Sequence, residues 1–167
     1  MKVENPKDLF VMLLSDVRRA TERTNAIFAE LGELAQQPEI KEALEARVFV
    51  SKRTLEKIDE AFRLIGEKPM ELSGRLQEVF VEDFKRELAE LKSPAVRHLF
   101  ILSKAIHLTH LRIGEFVALI AAADLTGHYG VGVLIESCLA DKLAFVERTK
   151  RLLRRLAEIK LAAKVGA

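Results

Sequence analysis

The chain has 167 residues, of which 49% are apolar and 31% charged, with a formal net charge of +2 and a single cysteine, Cys138. That length and apolar share suit one domain with one core, here taken as residues 1–167 with its core at 6–163. The small net charge does not call for a nucleic-acid partner, and a lone cysteine excludes an internal disulfide and fits a reducing, cytoplasmic setting. The start of the chain turns polar and acidic at Asn5, Pro6 and Asp8, unlike a secretory signal, and the apolar run from Ile113 to Ala123 is broken by Glu115, so no integral membrane association is expected.

Apolar residues recur at helical spacing almost throughout, without the alternation of a half-buried strand. Asn5-Pro6 predicts an N-cap followed by a first-turn proline. The first helix then presents Phe10, Leu13, Val17, Thr21, Thr24, Phe28, Leu31 and Leu34 inward and ends near Gln36. Pro38 opens a second helix with Ile40, Leu44, Arg47, Val48, Ser51, Leu55, Ile58, Phe62 and Ile65 along one stripe, stopped by Gly66 and Pro69. The short connection makes these two an antiparallel hairpin.

Residues 67–93 keep a helical rhythm in Leu76, Val79, Phe80, Phe84, Leu88 and Leu91, which predicts one or two connecting helices rather than a simple loop. Ser93-Pro94 supplies a further cap and first-turn proline. The third long helix runs through Leu99, Leu102, Ile106, Thr109, Ile113, Phe116 and Ile120. Its other sides are also apolar, at Phe100, Ile101, Leu108, Leu111 and Leu119, so it is either central or part of a subunit interface. Gly127, Gly130 and Gly132 mark a turn, after which a fourth helix from about Val133 carries Ile135, Cys138, Lys142, Phe145, Thr149, Leu152, Leu156 and Ile159 inward. Two hairpins joined by a long helical crossover between helices 2 and 3 predict an all-α, ferritin-like antiparallel four-helix bundle.

A di-iron site in such a bundle needs carboxylates and Glu-x-x-His pairs projecting inward. The central inward positions are instead Thr21, Arg47, Thr109 and Lys142, and no such pair occurs on the four long helices. His107 and His110 flank the Thr109 stripe and read as surface or interface residues. No nucleophile–base set, phosphate loop or zinc spacing is present, so no catalytic residue and no cofactor is expected. Arg47, Arg112 and Lys142 could form an anion pocket, but the preferred reading is an internal salt-bridge network with Glu22, Glu45 and Asp141. Arg148, Arg151, Arg154 and Arg155 make the end of the chain basic, a solvated face before a binding one.

Three blocks point to a family: Gln37-Pro38-Glu39-Ile40, Phe62-Arg63-Leu64-Ile65-Gly66-Glu67-Lys68-Pro69, and Ser93-Pro94-Ala95-Val96-Arg97. With the helix order they resemble the YciE/YciF family of bacterial ferritin-like stress proteins over about residues 6–157. The resemblance implies a four-helix bundle, a dimer, and a di-metal site of acidic residues and histidine. Carried onto this chain, its ligand positions fall at Thr21 on the first helix and at Arg47 and Val50 on the second. On the third they fall at Thr109, His110 and Arg112, and on the fourth at Lys142 and Val146. Only His110 keeps a ligand type. The expectation is a non-catalytic, dimeric structural or interaction protein, stress-associated as its relatives are, with a degenerate metal site. Two rivals stand beside it. One is an iron- or manganese-dependent oxidoreductase or peroxide-protective protein with a displaced site at His107, His110, Glu115 or Glu136. The other is a nucleic-acid or acidic-surface binder using the four arginines.

Overall fold

The computed structural model describes residues 3–72 and 75–165, with side chains described through Glu158. Five helices follow one another: α1 (Pro6–Leu34), α2 (Pro38–Ile65), α3 (Arg75–Glu90), α4 (Pro94–Leu125) and α5 (Tyr129–Val165). The Asn5 side chain accepts the Asp8 amide at 2.9 Å to start α1. Gly66, at φ +70°, ends α2 with the Glu67 amide reaching back to the Phe62 carbonyl at 3.2 Å, a turn that needs a residue free to adopt the left-handed region. Ser93 takes the cap position of α4 but makes no side-chain cap bond; only its carbonyl accepts, from Arg97 at 2.9 Å.

α1 packs on α2 and α4 on α5, and the two hairpins meet through α1 against α4 and α2 against α5. One apolar cluster joins Phe28 of α1, Ile40 of α2, Ile101 of α4 and Phe145 of α5; the other joins Phe10, Phe62, Phe116 and Ile135. The end of α2 therefore lies beside the end of α4, so these two helices run parallel and the intervening chain must travel the length of the bundle. α3 does so, its Phe84 and Leu88 reaching the first cluster. This is the ferritin-like arrangement that the crossover implied.

The structure departs from the periodicity in three places. α4 is turned so that Ile101, Ala105, Leu108, Arg112 and Leu119 are fully buried, while Ile106, Ile113 and Ile120 are only half-buried. A helix apolar on most sides has no single preferred direction, so packing sets its rotation. α5 begins at Tyr129 rather than Val133, because the Gly132 amide already bonds the His128 carbonyl at 3.0 Å. Leu76 and Val79 of α3 are exposed, whereas Gln77 is buried. Ile159 lies outside the residues with described side chains. By length and composition α4 could cross a bilayer, with a mean hydropathy of 1.3 over its most apolar 18 residues.

The candidate site at the bundle waist

Between the two apolar clusters lies a layer of buried polar side chains. Thr21 and Thr24 come from α1, Arg47, Ser51 and Thr54 from α2, Thr109 and Arg112 from α4, and Lys142 from α5, while buried Thr149 lies two turns on, between Phe145 and Leu152 of the first cluster. These are the positions at which the stripes cross the middle of each helix. The threonines satisfy themselves locally: Thr21, Thr24, Thr54, Thr109 and Thr149 donate to the carbonyl one turn back on their own helices. The cations lack that option.

Arg112 donates to the Val17 carbonyl at 2.8 Å and to the Thr21 hydroxyl at 2.9 Å, pairs with Glu115 one turn on, and lies 5.5 Å from the centroid of the Phe116 ring. Arg47 donates to Ser51 and lies against the edge-on pair of Phe28 and Phe145, at 5.1 and 5.6 Å from their ring centroids. The Lys142 ammonium is 3.8 Å from the centroid of Phe116. Such ring faces offer a cation partial electrostatic compensation. Burial pulls the Arg47 guanidinium down to about 10, with Asp141 pulling the other way, and Arg112 down to about 9. Burial, followed by repulsion from Arg47 and Arg112, holds Lys142 well below the ordinary lysine value. Both guanidinium groups stay charged at neutral pH, which makes Lys142 the member of the set that can give up its proton.

The salt-bridge network expected from the sequence does not form. Glu22 pairs with Arg18 at 2.7 Å, and Glu45 reaches Lys41 at 4.0 Å. Asp141 acts on Arg47 and Lys142 only at a distance. The carboxylate that does enter, Glu115, sits three residues from Arg112 on the same helix, a spacing visible in the sequence though Glu115 lies off the inward apolar stripe. Cys138 is buried one turn before Lys142, and burial pushes its thiol up, so it is a poor nucleophile.

The other sequence candidates are scattered. His107 is exposed and meets Phe80 edge-on at 5.8 Å; His110 and Glu136 are exposed on α4 and α5. Glu115 is committed to Arg112. Among the described residues no group of three or more His, Cys, Asp or Glu side chains gathers. Of the positions matching the ligand set of the resembled family, Val146 is buried and Val50 half-buried. With Thr21, Arg47, Thr109, Arg112 and Lys142 they place hydroxyls, alkyl groups and cations in the waist. This donor set does not fit a dication, which needs anionic or neutral lone pairs directed at it. On the basic end of α5, Arg148 pairs with Glu42 at 3.2 Å and Arg155 approaches Glu39 at 3.9 Å, so α2 carboxylates interrupt the arginine face that also holds Arg151, and Arg154 is exposed outside it.

Residues 5–162 match the family described as a domain of unknown function, DUF892. No curated protein matches the chain. Among solved structures it is similar to the E. coli stress protein YciF, with a TM-score of 0.88 at 20% identity over 93% of this chain and 99% of that one. It is also similar to YcfI from Rhodopseudomonas palustris, for which a structural role has been suggested, with a TM-score of 0.85 at 19% identity over 89% and 95% of the two chains. A protein from Xanthomonas campestris aligns with a TM-score of 0.71 at 17% identity over 94% and 99%. At these identities the likeness is one of fold.

Proposed function

We propose a role from the premise that the chain belongs to the DUF892 family, as a YciF-like member: it is a non-catalytic, dimeric structural or interaction protein whose bundle centre is closed by cations in place of a metal site. The observation that carries the reading is the waist itself. Where a carboxylate-bridged dication would need negative ligands, Arg47, Arg112 and Lys142 bring positive charge, and the one carboxylate that enters is held by Arg112. Stress association is taken from the described role of YciF, and a cytoplasmic setting fits the single buried thiol.

The outward face of α4 supports the dimer. Gly114, Val117, Ala118 and Ala121 are exposed on it, and half-buried Ile113 and Ile120 flank them. A Cβ added at Gly114 would meet nothing within 4 Å, so a second helix could approach closely there. A face this apolar is better covered by a second copy of the chain than by water.

Two measurements test the reading. Elemental analysis of protein grown with added iron and manganese should find neither metal in stoichiometric amount; about two ions per chain would overturn it in favour of the oxidoreductase alternative. Light scattering on the native protein should give a dimer that Val117→Glu converts to monomer without loss of helicity. A native monomer would remove the dimer.

A further inference from the structure

The waist is out of electrostatic balance. Arg47, Arg112 and Lys142 are 3%, 1% and 2% exposed, yet only Arg112 meets a carboxylate. Among the described residues no carboxylate comes within ion-pairing distance of Arg47 or Lys142. Hydrogen bonding is equally incomplete, since the buried Arg47 Nε has no acceptor. The ring faces of Phe28, Phe145 and Phe116 attract the cations but carry no charge to cancel theirs. A buried cation without a counter-charge is strongly destabilising, which is the circumstance in which a bound anion contributes most.

We infer that the waist binds one small monovalent anion of chloride size, held by the Arg47 guanidinium in the cleft between α2 and α5, with Lys142 in the same buried layer adding its charge at longer range. That cleft has a volume of about 190 Å³ and is lined by Arg47, Val50, Asp141, Phe145 and Arg148 among others. A water occupies about 30 Å³ of liquid, so a halide and a few waters fit. Charge sets the class of ligand. With Glu115 assigned to Arg112, Arg47 leaves a surplus of one positive charge on the wall of the cleft. A multivalent oxyanion would over-compensate it and meet the Asp141 carboxylate on the cleft wall. The waist threonines donate to their own helices and leave the cationic N–H groups as the donors.

The site goes beyond the metal-free reading but rests on the same residues. The two fail separately, because metal content is read by elemental analysis and anion binding is not. Thermal unfolding of the full chain is followed in sodium chloride against sodium gluconate at constant ionic strength. The midpoint should rise with chloride, by about 5 °C or more at ~100 times the dissociation constant. Arg47→Met should abolish the rise and Lys142→Met should reduce it, so the test survives if the first variant does not fold. Chloride-35 line broadening by the native protein, reversed by bromide, should accompany it. Equal shifts in both salts would mean screening alone and would overturn the site, as would the same chloride dependence in native protein and variants, an adventitious ion only.

Discussion

Lys142→Met should make the protein more stable at neutral pH and flatten its response to alkali. The Lys142 amine is buried, faces Phe116 at 3.8 Å and feels the charges of Arg47 on α2, Arg112 on α4 and Asp141 on its own helix, with the Cys138 thiol one turn away. Burial is the largest cause of its lowered pKa and repulsion from the two arginines the next. Between that folded value and the unfolded value of 10.5, the unfolded chain binds more protons than the native one. Stability therefore rises with pH through the window, up to the unfolded value, and falls as pH drops toward the folded one. One group contributes at most about 1.4 kcal/mol per pH unit, or about 2.7 kcal/mol between pH 8 and 10. With a urea slope of about 2 kcal/mol per molar, the midpoint would move by up to about 1.4 M. Urea unfolding of both proteins at pH 7, 8, 9 and 10 in low-chloride buffer measures this, and surface lysines common to both cancel in the difference. Methionine keeps the volume and removes the charge, a replacement often neutral to stabilising by about 1–4 kcal/mol. Parallel pH profiles, or a variant clearly less stable at pH 7, would refute the argument that a costly buried charge sits there.

Other perturbations separate the remaining contributions. Glu115→Gln strips the buried Arg112 of its counter-charge; because Glu115 is itself 18% exposed, the loss should be about 2–3 kcal/mol, read as a lower urea midpoint at pH 7. Gly66→Ala should cost about 1–2 kcal/mol through its φ of +70° alone, since its Cβ would touch nothing, and the loss should appear without change in helix content. Asn5→Ala removes the side-chain acceptor of the Asp8 amide and should cost about 1 kcal/mol, with faster hydrogen exchange confined to the first turn of α1.

The helix ends and the crossover are legible in the chain because their causes are local. Asn5-Pro6, Pro38, Gly66 and Ser93-Pro94 act within a turn of where they stand, and residues 67–93 are too long and too periodic for a loop. The same periodicity places Thr21, Arg47, Thr109 and Lys142 at the bundle centre, where all four are buried. The local signal fails where a choice depends on a neighbour. The exposure of Leu76 and Val79 is decided by how α3 lies across α1 and α4, which its own apolar spacing does not encode.

What the sequence by itself determined is the set of helices, their order and the identity of the residues at the waist, because spacing along one helix is a one-dimensional property. Only the tertiary structure decided the rotation of α4, which its nearly all-round apolar surface left open, and with it the burial of Arg112 against Val17 and Thr21. It also decided that Glu22 and Glu45 serve Arg18 and Lys41 instead of the waist. A charge finds its partner across helices by distances of a few ångströms, and those exist only once the helices have packed.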